Sequence, residues 1–361
     1  MRLRADSAPP YTTFALLTTA PLKSLKLTLL SLLSLSTTAP AFACDLCGCY
    51  TPRIEVVHEK SCAFFAGAGE QFTHFGTVRV NGSKVENPTR QYLDSSNTQI
   101  VVGATFFENR FGVQLNVPLL HRSYQRPAGF DIERGHVSGL GDVSLLANWV
   151  VFKKESTIHG CTLSDDGKTR RLVESDVPEF SAVVNLLAGL KFPTGDASRL
   201  AEEFSENETE GAPPSGIHGH DLALGTGSYD GIFGVQIFLR RRAVFFQADT
   251  QFTLRGDGRY SYHFANDLSW RGGPGADILR RGAAALAVQC VISGESKDTD
   301  HFQGRVAGDT GVTSLYIGPR VLATWGRVNA EVAVDLPVMM HTTALQTTAD
   351  YRIRAGCTVH F

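Results

Sequence analysis

Apolar and polar residues alternate along most of this chain with a period of two, and that spacing predicts β-strands. In "DYRIRAGCTVHF", Tyr351, Ile353, Ala355, Cys357, Val359 and Phe361 fall on one face. Arg352, Arg354, Gly356, Thr358 and His360 fall on the other. "RVNAEVAVDL" sets Val328, Ala330, Val332, Val334 and Leu336 against Arg327, Asn329, Glu331 and Asp335. "FGVQLNVPL" sets Phe111, Val113, Leu115, Val117 and Leu119 against Gly112, Gln114, Asn116 and Pro118. "FQADTQFTL" sets Phe246, Ala248, Thr250, Phe252 and Leu254 against Gln247, Asp249, Gln251 and Thr253. Extended along the chain, the pattern predicts twelve strands near residues 62–76, 97–107, 110–122, 140–153, 179–192, 221–239, 243–255, 259–270, 283–294, 311–324, 327–337 and 349–361.

A soluble sandwich alternates too, so the environment needs a second argument. Here the polar face carries arginines and acids deep within long strands, as a hydrated lumen allows. "FENRFG" (residues 107–112) and "RRRAV" (240–244) read as tight turns, whereas "VNGSKVENPTRQ" (80–91) and "SENETEGAPPSGIHGH" (205–220) read as long polar loops. Strands of about 9–11 residues, with short turns on one side and long loops on the other, predict an all-β transmembrane antiparallel barrel. The even strand number fits, and a closed sheet leaves no unpaired edge in a bilayer. Phe361, an aromatic at an outward position, is the expected membrane-insertion signal for the barrel-assembly machinery.

The first 43 residues differ from the rest. They hold Arg2, Arg4, Lys23 and Lys26 but only one acid, Asp6, and the apolar run "LTLLSLLSL" is too short to span a bilayer. It is followed by "APAFA", a small-x-small site that predicts cleavage after Ala43 and export as a secretory protein. Residues 44–361 then carry 30 basic and 35 acidic side chains. No basic patch suggests nucleic acid. The expected organisation is a signal peptide over 1–43, a cysteine-rich periplasmic segment over 44–60 and the barrel over 61–361, in a bacterial outer membrane with its lipid as surroundings.

Three motifs occur in order: "GLGDVSLLANW" (139–149), "LKFPTGD" (190–196) and "LGTGSYDGIFGV" (224–235). With the aromatic-ended last strand they resemble the bacterial outer-membrane family named for the phenol meta-cleavage degradation pathway. The resemblance covers most of residues 97–361. It implies a barrel of about a dozen strands that passes small molecules, often hydrophobic ones, across the outer membrane. From the residues alone, Gly139, Gly141, Gly195, Gly225 and Gly227 suit turns and bulges, and Asp142, Asp196 and Asp230 suit carboxylates that bond nearby backbone amides.

The resemblance does not supply "CDLCGC". Cys44, Cys47 and Cys49 are spaced so that two or three thiolates can converge on Cu(I) or Zn(II). Disulfides in an oxidising compartment and lipidation of Cys44 are the other readings. Cys62, Cys161, Cys290 and Cys357 are too scattered to form one site, and the last two read as small apolar fillers on strands. His218 and His220, in "GIHGH", read as an exposed pair in a solvated loop, and His360 as a polar wall residue. No Gly-x-Ser-x-Gly elbow and no His-Glu-x-x-His motif occurs, so no catalytic residue and no enzymatic role is expected.

These observations predict a channel or transporter for a small-molecule solute. The pore-lining candidates are Asp249, Arg327, Glu331, Asp335, Arg352 and Arg354, whose mixed signs argue against simple ion selectivity. At about twelve strands the lumen is expected to be narrow or blocked in part by a loop, with "AEEFSENETEG" (201–211) as the candidate. Two alternatives stand beside this: a non-transporting surface barrel whose Cys44, Cys47 and Cys49 bind metal or act in redox chemistry, and a soluble β-sandwich.

Overall fold

The computed structural model describes residues 63–165, 170–204, 210–281 and 283–361. The expected signal peptide and Cys44, Cys47, Cys49 and Cys62 lie outside the described residues. Twelve long antiparallel strands form one closed barrel: β1 (Ala63–Val80), β2 (Tyr92–Phe106), β3 (Phe111–Ala128), β4 (Ser144–Asp165), β5 (Arg170–Lys191), β6 (Asp230–Arg241), β7 (Val244–Leu254), β8 (Asp267–Arg281), β9 (Ala284–Lys297), β10 (Val312–Trp325), β11 (Val328–Thr342) and β12 (Leu345–His360). Each strand pairs with its sequence neighbour, and β12 pairs with β1 from Phe65↔His360 to Val80↔Leu345, which closes the sheet. The barrel is therefore built wholly from local connections apart from that one seam.

Alternation sorts the side chains as the sequence pattern requires. Phe233, Leu239, Val332, Leu336 and Ile353 are exposed on the outer wall, while Gln71, Asn97, Gln247, Gln289, Arg320 and Arg354 are buried on the inner one. Apolar outside and polar inside is the reverse of a soluble sandwich and suits a wall that meets hydrocarbon. Phe64, Phe106, Phe107, Trp149, Trp325 and Phe361 are exposed around one rim, like the aromatic girdle at a membrane interface. Cys290 and Cys357 lie exposed on the same outward face. Glu70 is an exception on that wall; it accepts hydrogen bonds from the hydroxyls of Ser96 and Thr98.

The tight turns fall at the girdled rim, at residues 107–110, 242–243 and 326–327. The opposite rim carries the longer connections: 81–91, 129–143, 192–229, 255–266 and 298–311. Four of these carry sheet of their own. Ser83–Lys84 pairs with the end of β1. Asp131–Leu140 folds back on β3, and Tyr262–His263, Asp300–Phe302 and Arg305–Ala307 make a small separate sheet. β4 and β5 are 22 residues each, but only Ser144–Trp149 pairs with β3 and Phe180–Lys191 with β6, so the rest of that hairpin pairs with itself beyond its neighbours.

Three expectations need correction. β6 begins at Asp230 rather than 221, because residues 221–222 end the short helix Gly219–Leu222 and residues 223–229 pack as loop. β8 begins at Asp267 rather than 259, because Tyr262 and Phe264 are buried in a cluster at the loop rim, Tyr262 in the small separate sheet, instead of in a barrel strand. Arg327 is not on the lumen wall. It sits exposed in the 326–327 turn, where its carbonyl accepts the His360 N–H at 2.9 Å. The two-residue turn claims the position that alternation alone assigns to the strand.

The orientation of the wall makes a direct prediction. Val332, outward on β11, replaced by arginine should destabilise the barrel in lipid by about 2–4 kcal/mol. The inward neighbour substitution Asn329→Gln should change stability by less than about 1 kcal/mol. Urea unfolding in vesicles, followed by heat-modifiable gel mobility, separates the two.

Candidate functional site

The residues of interest lie inside the barrel and at its loop rim. On the inner wall of β7 to β12, charges meet across neighbouring strands. Arg271 and Asp249 face each other in register, 3.2 Å apart. Arg320 Nε donates to Glu331 at 2.8 Å, and the same guanidinium reaches Gln289 at 3.1 Å and Gln247 at 3.2 Å. Arg354 donates to Asp335 at 2.9 Å. Arg352 lies 3.6 Å from Glu295 and 4.3 Å over the Tyr316 ring, while Ser314 and Tyr316 donate their hydroxyls to that carboxylate. The structure thus places five of the six pore-lining candidates on the inner wall, Asp249, Glu331, Asp335, Arg352 and Arg354, and sets each against an opposite charge. The inner wall of β1 to β3 is different in kind: Gln71, Thr73, Ser95, Asn97, Gln99 and Asn116 are buried neutral hydrogen-bonding groups.

At the loop rim the 192–229 connection folds inward instead of outward. Ile217 and Leu222 are buried against Phe75 of β1, Leu93 of β2, Tyr124 of β3, Tyr316 of β10, Met340 of β11 and Ala349 of β12. Six strands from both sides of the seam therefore share one buried apolar cluster with two side chains of this loop. "SENETEGAPPSGIHGH" was expected to be a polar outer loop; of its described part, residues 210–215 are exposed or half-buried, whereas Gly216, Ile217, Gly219 and His220 are buried. Ile217 and Leu222 also lie wholly outside "AEEFSENETEG" (201–211), the expected blocking segment, of which residues 201–204 belong to the 3-10 helix Ser198–Phe204.

Hydrogen bonds hold the loop down at several points. Arg122, almost wholly buried, donates to the carbonyls of Asp221 and Ala223 at 2.5 and 2.6 Å. The Gly216 N–H donates to Gln91 Oε1 at 2.8 Å, and the Gly216 carbonyl accepts from Thr347 N at 2.9 Å. Arg126 bridges Glu133 and Glu202, each at 2.8 Å, and Arg199 donates to the Tyr124 hydroxyl at 3.1 Å. Burial would raise the Glu133 carboxyl, but the Tyr124 hydroxyl and the Arg126 guanidinium outweigh it and hold it below the usual glutamate range.

The three ordered motifs meet at the base of this loop. Asp142 accepts the Gly195 N–H at 2.9 Å, and the Thr226 N–H and hydroxyl at 2.8 and 2.9 Å. Lys191 lies 3.5 Å from Asp142 and 2.7 Å from Asp230. Arg255 reaches Asp230 at 2.9 Å and Asp267 at 2.6 Å. All five charges are buried. Gly195 and Gly225 touch back to back: a Cβ on Gly225 would meet the Gly195 backbone at 2.7 Å and Asp142 Oδ1 at 2.6 Å, which only glycine avoids. Asp142 and Asp230 therefore cap backbone amides, as the turn reading expected, but they do so inside a charge cluster whose Lys191, Arg255 and Asp267 the sequence reading did not single out.

His218 and His220 are not in a solvated loop. His220 is buried, its Nδ1 2.9 Å from Glu203 and its Nε2 3.5 Å from Asp221, and His218 Nε2 lies 3.2 Å from Asp309. His360 shares the inward face with Phe65, their rings 6.0 Å apart. Phe361 is exposed at the girdled rim and donates its N–H to Phe64. Among the described residues no group of three or more His, Cys, Asp or Glu side chains has the geometry to hold a metal ion.

Several solved outer membrane proteins are similar to this chain. The COG4313 outer membrane channel from Pseudomonas putida F1 matches with a TM-score of 0.56 at 12% identity, over 86% of this chain and 100% of that one. The β domain of the Bordetella autotransporter BrkA matches at a TM-score of 0.39 and 11% identity, over 84% and 100%. A Pseudomonas aeruginosa FadL homologue matches at 0.27 and 9%, over 82% and 89%. No protein-family model and no curated protein matches the chain. At 12% identity the likeness to the Pseudomonas putida channel is one of fold, and it agrees with the twelve-strand closed barrel.

The motif cluster can be tested by unbalancing it. Lys191→Met takes one buried cation away from Asp142 and Asp230 and should destabilise the barrel by about 3–5 kcal/mol. Adding Asp142→Asn should recover part of that loss in the same unfolding measurement, because one uncompensated carboxylate is removed with the lysine.

Proposed function

We propose that this chain is an outer-membrane channel for small solutes, stoppered at its outer mouth by its own 192–229 loop. The observation that carries the reading is the combination of a closed barrel, apolar outside and polar within, and an apolar stopper seated in its mouth. The likeness in fold to an outer membrane channel supports it, and so do the three motifs that resemble the family named for phenol degradation. In this orientation the girdled rim faces the periplasm and the loop rim faces outward. The chain's partners are the outer-membrane lipid, the barrel-assembly machinery and the solute; its work is passage rather than catalysis.

The inner wall also indicates the kind of solute. Arginines and carboxylates are matched in pairs, so the lumen presents no field of one sign, and the facing wall of amides and hydroxyls offers donors and acceptors at close spacing. Small solutes with hydrogen-bonding groups suit that lining better than bare ions. An apolar solute would have to strip water from both walls without replacing its hydrogen bonds.

Planar-bilayer conductance and liposome swelling test this. The native chain should show low conductance with weak ion selectivity, and the double variant Ile217→Ser, Leu222→Ser should conduct several-fold more. Asp335→Asn, which leaves the Arg354 charge without its carboxylate, should shift the reversal potential toward anions. A folded barrel that passes no solute in either the native or the double-variant form would sink the transport reading.

A further inference from the structure

The stopper is held in place from above by a cluster that the channel reading does not use. The ring of His220 stacks on His218, with centroids 5.6 Å apart and planes within 6°, and on Tyr262 at 5.8 Å. Glu203, from the 3-10 helix Ser198–Phe204, accepts the His220 backbone N–H at 2.9 Å and lies 2.9 Å from its Nδ1. Asp221, on the short helix Gly219–Leu222, stands 3.5 Å from Nε2 and accepts the His218 backbone N–H at 2.9 Å. Asp309, from the 298–311 connection, faces His218 at 3.2 Å. Tyr262, from the 255–266 connection, donates its hydroxyl to Asp300 at 2.7 Å, where Lys297 is also bound at 2.6 Å. Four separate segments therefore meet at the two imidazoles, and Leu222, half of the stopper, is two residues from His220.

We propose that His218 and His220, enclosed by Glu203, Asp221 and Asp309, form a proton-operated latch that holds the 192–229 loop in the mouth of the barrel. The inference rests on the reading of that loop as the channel's stopper. Its physics is charge balance in a buried place. With His220 protonated, its positive charge lies between the carboxylates of two elements and binds them together. With His220 neutral, three carboxylates face one another with the compensating proton gone, and like charges at this spacing repel strongly when water is excluded.

The direction follows from the surroundings. Burial alone would lower the His220 imidazole, but Asp221, the hydrogen bond to Glu203 and the charge of Asp309 outweigh it and hold it well above the ordinary histidine value. A group raised in the latched state favours that state at pH values below its free value. The advantage is lost as pH rises through the raised value, tenfold in the equilibrium for each pH unit between the two. The latch is therefore shut at neutral pH and loosens on the alkaline side.

Two readouts on the full chain in vesicles test it, between pH 6 and pH 10. Hydrogen exchange of the amides of residues 216–224, taken relative to those of β9 so that the intrinsic pH dependence cancels, reports the latch. Conductance reports the pore. The native chain should lose protection over 216–224 by about tenfold or more on the alkaline side, with conductance rising over the same interval. His220→Gln should be unprotected across the range, and adding Glu203→Gln and Asp309→Asn to it should restore protection at every pH, because the buried repulsion goes with the charges. Flat protection in the native chain, a His220→Gln variant that keeps the native curve, or a triple variant no better protected than the single one would each overturn the latch. Protection that changes with pH in a barrel that never conducts upholds the latch and defeats the transport reading; steady conductance with flat protection does the reverse.

Discussion

Everything in this molecule depends on one seam, the pairing of β12 with β1. A bilayer core offers no water to backbone amides and carbonyls, so a sheet inside it must have no edge. Fifteen paired positions along that seam meet the requirement. Once the sheet is closed, period-two alternation leaves no choice of environment: each strand presents one face to lipid and the other to the lumen. The charged residues of β7 to β12 can then exist only because they face inward and find one another there, Arg320 beside Glu331 and Arg354 beside Asp335.

Closure also creates the problem that the 192–229 loop answers. A barrel has two open ends, and an apolar core cannot form in a lumen lined with amides and ion pairs. The buried apolar cluster forms instead at the loop rim, where Ile217 and Leu222 give six strands something to pack on. The packing is tight because the polar groups around it are satisfied. Arg122 takes the carbonyls of Asp221 and Ala223, and Gln91 takes the Gly216 amide, so the loop enters the mouth without stranding its backbone. The five-charge cluster at Lys191 and Arg255 does the same for the loop's two ends, tying the end of β5 to the start of β6.

Much of the barrel was legible in the sequence, because lipid on one side and a lumen on the other impose alternation that nothing else in the chain mimics for long. The strand count, the 107–112 and 240–244 turns and the inward facing of Arg352 and Arg354 follow from it. Alternation misled where apolar side chains were buried outside the barrel strands: Leu222 and Leu224 imitate the start of β6, and Tyr262 and Phe264 imitate that of β8, while all four pack in the connections at the loop rim. What the spacing could not show was partnership across long stretches of chain. Glu295 and Arg352 are 57 positions apart by their numbers. Of the carboxylates that enclose His218 and His220, only Asp221 is a sequence neighbour; Glu203 and Asp309 come from other segments, so a histidine pair that reads as solvated is enclosed in part by residues no local window contains.

The back-to-back contact of Gly195 and Gly225 divides the loop rim into stretches that can and cannot accept foreign sequence. There the two backbones lie closer than any side chain permits, so an inserted residue has nowhere to go and would unseat the whole connection. Gly308 is the opposite: a side chain built there would meet no atom within 4 Å, and its backbone is not in the left-handed region that holds Gly211 and Gly304 to glycine. That position is the natural site for an epitope or a fluorophore displayed on the loop rim, and it comes with the stopper left in its seat.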